Sequence, residues 1–223
     1  MKILLAIESC HRDRCLHQSL RDTWIKDIPV EVDYRIFSGS YVSEPDEIHL
    51  QVDDSYLGLP YKTRAIMVWA LEHGYDYIYK CDADTLVCPF NLLNSGFEKY
   101  DYMGGMLICP DLTLASGGAG YVLSNKAATK VANAIPNRKE EDCFVAETCR
   151  ANDISLCGHP QFKFMPGAVL TKGTISYHLS SVFGWRQDPK TPAYTPELMY
   201  REYAKFKQFS GRIDLEDWKG SKA

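Results

Sequence analysis

The first third of the chain alternates between strand-like and helix-like patterns of apolar residues. Residues 2–8 form a short apolar run that is typical of a strand buried on both faces. A polar loop is predicted at residues 9–14, and a helical pattern of apolar positions follows over residues 16–24. Residues 31–38 predict a second strand. This strand–helix–strand start predicts a nucleotide-binding α/β sheet.

Later segments extend the same pattern. A helix is predicted over residues 63–73, because its apolar positions share one face and Gly74 is suited to end it. Further helices are predicted from Pro89, over 125–134 with a cap at Ser124 or Asn125, and over 197–209, and further strands over 46–52, 100–109, 162–165 and 175–179. No repeat or linker divides the chain, so we expect one domain over residues 1–223.

A pair of carboxylates at the end of an aromatic strand is the strongest chemical signal. The run from Tyr77 to Tyr79 is followed by Asp82 and Asp84. Open α/β sheets bind their ligands beyond the carboxyl ends of the strands. Two carboxylates one residue apart give Mg²⁺ or Mn²⁺ part of an oxygen shell and leave positions for water and phosphates. A solvated turn after a strand would show the same spacing.

Composition and charge exclude several function classes. The 223 residues are 45% hydrophobic and 24% charged, as in ordinary globular proteins. A net charge of −4 argues against a general nucleic-acid binder. No apolar run approaches the roughly 20 residues of a spanning helix, so no integral membrane segment is expected. The eight cysteines are expected to be reduced, because no signal sequence precedes them. The first strand lacks a following Gly-x-Gly-x-x-Gly, which counts against a dinucleotide oxidoreductase.

Three other features permit chemistry without requiring it. Residues 116–124 hold three glycines beside an aromatic, which indicates either close approach of a backbone to a ligand or a simple turn. Residues 140–142 are acidic at the start of a helical pattern, where the helix dipole alone favours them. His178 lies in a predicted strand, where a lone histidine is usually structural.

Six sequence blocks carry a family resemblance, and they occur at residues 21–24, 54–63, 80–85, 116–124, 141–145 and 175–178. In this order they resemble the Arg-x-Thr-Trp, Asp-Ser-Tyr, Lys-x-Asp-Asp-Asp, Gly-Gly-x-Gly-Tyr-Val-Leu-Ser, Glu-Asp-Val and Ser-Phe-His blocks of one superfamily. That superfamily is the β-1,3-glycosyltransferases, which include the β-1,3-galactosyltransferases, the core-1 galactosyltransferase and the Fringe glycosyltransferases. Ala83 departs from the pattern in place of the middle Asp, as does Ala146 in place of the Gly after Glu-Asp.

The resemblance implies a GT-A fold, a nucleotide-sugar donor that is expected to be a UDP-sugar, and Mn²⁺ or Mg²⁺. It implies a metal site at Asp82, Asp84 and His178, with Asp84 as direct ligand and Asp82 as a water-mediated or ribose-binding partner. A metal that bridges the two phosphates would stabilise the charge of the leaving group. The family inverts the anomeric centre, which requires a general base, and motif position gives that role to Asp142 with Glu141 as the fallback.

The remaining implied positions concern the donor and the acceptor. The donor is expected to contact residues 8–14 and, by position, Glu8, Ser9, Arg14, Asp54, Lys62, Lys80, Asp82 and Ala83. The loop expected to approach the donor sugar or the acceptor comprises Gly117, Gly118, Ala119, Gly120 and Tyr121. Residues 1–88 would form the nucleotide-sugar half of the domain and residues 89–223 the acceptor half. Arg21 is expected to be structural.

The predicted function is inverting sugar transfer to a hydroxyl of a glycan or glycoprotein acceptor, with a β-1,3-type linkage. One alternative is a retaining GT-A transferase or a sugar-1-phosphate nucleotidyltransferase, although residues 9–14 lack the glycines that a nucleotidyltransferase loop would carry. Another alternative is a non-catalytic nucleotide- or sugar-binding module. The absence of a membrane anchor favours a soluble bacterial or viral enzyme in the cytoplasm or host-cell cytoplasm. The Golgi lumen is expected only if the chain is trimmed from a longer protein.

Overall fold

A seven-stranded mixed sheet organises the computed structural model, which describes residues 1–40, 42–179 and 194–208. The strands are β1 (Ile3–Glu8), β2 (Asp33–Ser38), β3 (Glu47–His49), β4 (Tyr77–Asp82), β5 (Thr85–Val87), β6 (Tyr102–Gly104), β7 (Met106–Ile108), β8 (Thr113–Ala115), β9 (Tyr121–Ser124), β10 (Leu156–Gly158), β11 (Phe162–Lys163) and β12 (Ser176–His178). The α-helices are α1 (His17–Asp22), α2 (Leu59–Glu72), α3 (Pro89–Leu93), α4 (Asn125–Asn133), α5 (Glu141–Arg150) and α6 (Pro196–Phe206).

The order of strands in the main sheet is β10-β6-β9-β4-β1-β2-β3, and only β9 runs antiparallel to its neighbours. The carboxyl ends of the other six strands therefore lie at one edge of the sheet. Both predicted halves of the domain contribute strands to this sheet. A second sheet has the order β11-β12-β5, and β7 pairs with β8 in a two-stranded ribbon.

Two hydrophobic cores cover the two faces of the main sheet. Alternate residues of β1 enter different cores, with Leu5 in one and Leu4 in the other. The apolar faces of α2, α4 and α5 pack in the core of Leu4, and those of α1 and α6 in the core of Leu5. The buried first strand and the mixed sheet with flanking helices are thus confirmed. No helix among the described residues is long and apolar enough to cross a bilayer.

Element boundaries needed several corrections. Much of the predicted polar loop is a 3-10 helix, His11–Leu16. Helix α2 begins at Leu59, four residues before the prediction, because Pro60 fits the first helical turn, where its missing N–H costs nothing. The strand predicted over residues 100–109 is two strands, β6 and β7, that part at Gly105. The C-terminal helix ends at Phe206, and residue 209 of the prediction lies outside the described residues.

The predicted cap of α4 is confirmed. The Ser124 hydroxyl accepts a hydrogen bond from the N–H of Ala127 and caps α4. Strands β5, β8, β9 and β10 were not predicted, because three or four residues carry no measurable period.

A polar cluster ties β3 to α1. Arg21 donates to both carboxylate oxygens of Asp46 at 2.9 and 2.7 Å, and to Glu47 at 2.9 Å. The Nδ1 of His17 donates to Glu47 Oε1 at 2.8 Å, and its Nε2 lies 2.7 Å from the hydroxyl of Ser9. Arg21 therefore has the structural role that its position predicts, and the cluster fixes the segment that follows β1.

Glu47 should make the protein acid-sensitive. Burial alone would raise the pKa of Glu47, but the Ser43 N–H, His17 and Arg21 outweigh it and lower the pKa from 4.5 to about 2. A lowered folded-state pKa contributes stability that is present above the unfolded value and is lost as pH falls through the folded one. When the pH is lowered from 7 to 3.5, the unfolding free energy of the parent protein should fall. In the Glu47→Gln variant this fall should be smaller by about 1 kcal/mol.

Urea unfolding at the two pH values measures this difference. Glu72→Gln removes an exposed carboxylate of α2 and serves as the control, since it should follow the parent protein at both pH values. Equal acid losses in the parent and in Glu47→Gln would contradict the assignment.

Candidate active site

A cleft of about 890 Å³ opens beyond the carboxyl ends of β1 and β4. This size lies within the range of small-molecule sites. Its walls are unusually acidic, with carboxylates from Glu8, Asp13, Asp54, Asp82, Asp84, Glu140, Glu141 and Asp142. Such an excess of negative charge requires protons, buried cations or a bound metal to balance it.

Strand register assembles the acidic floor from distant parts of the chain. Glu8 pairs with Asp82 at the ends of the parallel strands β1 and β4. Strand β12 pairs antiparallel with β5, and this register places His178 opposite Thr85, the residue after Asp84. The first turn of α5 adds Glu141 and Asp142 to the wall.

Asp82, Asp84 and His178 form a group that could hold a metal ion. Each offers one ligand atom, and these atoms lie within 4.8 Å of one another. His178 Nε2 lies 3.0 Å from Asp84 Oδ1, and both side chains are buried. Burial lowers the pKa of His178, but the carboxylate of Asp84 outweighs it, so the pKa is raised overall. Oxygen ligands with one imidazole suit Mn²⁺ better than Mg²⁺, so the residues fit the predicted metal.

A second acidic group surrounds a buried lysine. The Lys80 ammonium, with no exposed surface, lies 3.0 Å from Glu8 Oε2, 2.8 Å from Asp82 Oδ1 and 2.6 Å from Glu141 Oε1. Burial lowers the pKa of Lys80, but these three carboxylates outweigh it and raise it well above its usual value. Glu8, Asp82 and Glu141 also have ligand atoms within 4.8 Å of one another. The ammonium already fills that position, so the metal fits better at Asp84 and His178.

Glu141 and Asp142 are neighbours with different surroundings. Glu141 is buried, and its second oxygen accepts from Tyr121 at 2.8 Å, so both oxygens are hydrogen-bonded. Burial, opposed by Lys80 and reinforced by nearby carboxylates, raises the pKa of Glu141 to about 8. Asp142 is only partly buried, and its oxygens meet the N–H groups of Gly117 at 3.4 Å and Cys143 at 2.9 Å. Burial outweighs these N–H groups and raises the pKa of Asp142.

The glycine block allows the site's own side chains to approach the backbone. A Cβ at Gly117 would overlap Glu141 Oε1, and one at Gly118 would lie 2.8 Å from His178 Nε2. The carbonyl of Gly118 also accepts from Thr85 Oγ1 at 2.6 Å. Gly118 lines the cleft, whereas the structure places Gly117, Ala119, Gly120 and Tyr121 in buried positions outside its lining. The glycines thus serve the packing of the site, a role that the sequence did not separate from ligand contact.

The predicted donor positions divide into three groups. Residues that line the cleft are Glu8, Ser9, Asp54 and Asp82. Buried residues outside the lining are Lys62, Lys80 and Ala83. Lys62 holds the wall in place, because its ammonium donates to Ser9 O at 2.7 Å and lies 2.8 Å from Asp54 Oδ1. Arg14 lies outside the lining and donates to Ser43 Oγ at 3.1 Å.

The sequence missed five residues of the cleft wall, namely Ser55, Tyr56, Leu59, Ser116 and Glu140. Tyr56 is 48% exposed and stands within the second sequence block, so its presence beside Asp54 was the available signal. Ser116 begins the glycine block, and Glu140 directly precedes α5.

Comparison with protein-family models finds no match, and neither does comparison with curated proteins. Solved structures do match. Apo-form GlyE, a glycosyltransferase of Streptococcus pneumoniae TIGR4, has a TM-score of 0.56 and 12% identity over 99% of this chain and 64% of that chain. The catalytic domain of Drosophila β1,4-galactosyltransferase 7 scores 0.47 at 17% identity, covering 90% of this chain and 80% of that one. A glycosyltransferase involved in glycosylation of the PBCV-1 major capsid scores 0.48 at 11% identity, covering 80% and 94%.

These similarities concern the fold. The mixed sheet with flanking helices has the GT-A architecture, as predicted, and the similarity to GlyE supports this. This chain spans less than two thirds of GlyE. The β-1,3 family assignment remains a prediction from the sequence blocks.

Proposed function

We propose that the protein is a metal-dependent glycosyltransferase that moves a sugar from a nucleotide-sugar to a hydroxyl of a glycan acceptor. The observation that carries the proposal is the group of Asp82, Asp84 and His178 at the carboxyl edge of a GT-A sheet. GT-A sheets bind ligands beyond this edge, and carboxylates with an imidazole suit a divalent cation there. The solvated-turn alternative is weaker, because Asp84 and His178 are buried together 94 residues apart in sequence.

Asp84 and His178 would hold Mn²⁺, with Asp82 beside them at the open side of the cleft. The bound ion would supply charge stabilisation for the departing diphosphate. Ser9 and Asp54 line the same cleft, and the Lys62 ammonium contacts both residues from behind. We assign Ser9 and Asp54 to nucleotide binding. Both lie in residues 1–88, the predicted nucleotide-sugar half of the domain. The family resemblance makes UDP the expected nucleotide.

Asp142 is the proposed general base of an inverting reaction. In a single displacement the acceptor oxygen bonds to the anomeric carbon while the bond from that carbon to the diphosphate oxygen breaks. The acceptor proton passes to the Asp142 carboxylate. Asp142 lines the cleft and is only partly buried, and its Oδ2 accepts a long hydrogen bond of 3.4 Å from the Gly117 N–H. Both oxygens of the buried Glu141 are engaged by closer partners, at 2.6 and 2.8 Å. The inverting course and the β-1,3 linkage rest on the sequence blocks.

A thermal-shift panel of UDP-, GDP- and dTDP-sugars, each with and without Mn²⁺, tests the donor and the metal together. Ligand at about 100 times its Kd stabilises the native state by roughly 2.7 kcal/mol, which shifts Tm by several degrees. We expect a shift with one nucleotide-sugar, only when Mn²⁺ is present. Asp84→Asn should abolish it, because the buried carboxylate that holds the ion is lost.

Asp111→Asn is the matched control, since Asp111 is exposed and outside the cleft lining. Release of free sugar from the same donor without acceptor then distinguishes an enzyme from a binding module. The proposal is wrong if no nucleotide shifts Tm with any metal, or if Asp84→Asn responds like the parent protein.

A further inference from the structure

A second groove lies at the same edge of the main sheet as the cleft. Its volume is about 370 Å³. Gly105 and Met106 enter it directly after β6, and His159 enters it directly after β10. Because β6 and β10 run parallel to β4, the groove and the acidic cleft open beyond the same ends of the strands.

The groove is close to the proposed reaction centre. The strand order β4-β9-β6-β10 puts β6 two positions and β10 three positions from β4. At about 4.8 Å per strand, these ends lie roughly 10 and 14 Å from the end of β4. The two sites also share a wall, because the N–H of Ser116 in the cleft donates to the carbonyl of Gly105 in the groove at 2.9 Å. The groove and the cleft are therefore neighbours across this backbone contact.

The groove is lined mainly by apolar side chains, whereas the cleft is lined by many carboxylates. Among the described residues, those that line it include no carboxylate, amide or hydroxyl side chain, and Lys163 is the one charged group. Met106 and Met165 are each 48% exposed at its lip, and Ile108 on the same face of β7 is 73% exposed. Burial and the charge of Lys163 lower the pKa of His159, which favours its neutral form.

This lining selects among possible occupants. A saccharide or a peptide would lose hydrogen bonds to water with few side-chain partners to replace them, which is costly. An alkyl chain has no such groups, and flexible methionine side chains adapt well to its shape. The groove is at the small end of ligand sites, so it fits the part of a chain nearest the sugar.

We propose that the groove binds the alkyl chain of a lipid-linked saccharide acceptor whose sugar end lies in the acidic cleft. The inference rests on the proposed function, because that function places an acceptor sugar beside Asp142. It narrows the acceptor to a glycolipid with its chain attached roughly 10 to 14 Å from the reacting hydroxyl.

The first test is a binding measurement that does not need activity. The methionine methyl groups are observed by NMR while octyl or methyl glycoside is added below the concentration at which micelles form. The methyls of Met106 and Met165 should shift with the octyl glycoside and not with the methyl glycoside. Met199 is fully buried and does not line the groove, so it serves as the internal control. If the two groove methyls do not respond, the proposal is wrong.

The second test measures sugar transfer from the nucleotide-sugar that the thermal-shift panel identifies. The octyl acceptor should show a KM about tenfold or more below that of the methyl acceptor, because several methylenes leave water. The double variant Met106→Gln with Met165→Gln should lose this advantage. Val30→Gln and Ile135→Gln change apolar residues that are 94% and 85% exposed outside the groove, and both should keep it. Sugar release without acceptor should be equal in all four proteins, namely the parent, the double variant and the two controls.

The outcomes separate the two proposals. An octyl advantage that survives in the double variant overturns the groove assignment. Groove methyls whose signals change on dilution alone would make the groove a contact between two copies of the chain, which also overturns it. If the methyls respond but no donor is hydrolysed or transferred, the alkyl site stands and the glycosyltransferase proposal fails.

Discussion

Replacement of Asp142 by asparagine should lower the rate of sugar transfer by at least about 100-fold, because a positioned general base contributes 10²- to 10⁴-fold. The side chain keeps its size, and its amide oxygen can still accept the shorter of the two hydrogen bonds, the one from the Cys143 N–H at 2.9 Å. Donor binding should survive, since the metal group lies on Asp84 and His178. Initial rates with saturating donor and acceptor measure the loss, and the Mn²⁺-dependent thermal shift verifies that the donor site is intact.

The pH profile provides a second measure of the same group. Burial raises the pKa of Asp142 above its usual 3.8, and the ionised carboxylate is the active form of a base. Activity of the parent protein should therefore fall as pH drops through a value above 3.8. In Asp142→Asn this acid limb should be absent from the residual activity, and Asp111→Asn should retain the parent profile. A variant with full activity would remove the assignment of Asp142 and return the role to another group of the cleft wall.

The sequence predicted site residues best where candidate metal ligands directly follow a recognisable strand. Asp82 and Asp84 follow a strand that could be recognised from its aromatic residues, and the rule that ligands bind at strand ends placed them at a site. His178 could be connected to them only through the order of the sequence blocks. The register of β12 against β5 then gives the connection a physical basis.

The roles of charged residues inside the wall could not be predicted. Lys62 and Lys80 were assigned to the donor by their positions in the sequence blocks, yet each is fully buried against the protein's own oxygen atoms. Residues two apart in a strand share a face, so a contact of Lys80 with Asp82 was foreseeable. The contact with Glu141, 61 residues away, depends on how α5 meets the sheet, which local patterns do not determine.

The Lys80→Met variant should lose about 3–5 kcal/mol of unfolding free energy at neutral pH, because removal of one partner leaves buried charges uncompensated. Methionine fills a similar volume but leaves Glu8, Asp82 and Glu141 facing one another without their shared cation. Against a typical stability of 5–15 kcal/mol, this loss leaves a marginal fold. Urea unfolding at pH 7 measures the change.

An exposed ion pair serves as the control that separates the effect of burial from the effect of ion pairing. The Lys126 ammonium lies 2.6 Å from Asp101, the same distance as Lys80 from Glu141, but its side chain is 63% exposed. Lys126→Met should therefore cost less than about 1 kcal/mol. Equal losses of unfolding free energy in Lys80→Met and Lys126→Met would show that repulsion among the buried carboxylates does not account for the effect at Lys80.

Repulsion among the carboxylates also predicts how the loss can be reversed. Lys80 lowers the pKa of Glu141, so its removal drives Glu141 further towards the protonated form. A folded-state pKa raised above the unfolded value gives stability at low pH that is lost as pH rises, so Lys80→Met should be closer to the parent protein at pH 5 than at pH 8. Adding Glu141→Gln removes the carboxyl that must otherwise take up a proton on folding, and should recover part of the loss at pH 8. If the second substitution instead adds a further independent loss, packing around Lys80 and not its charge holds this part of the cleft together.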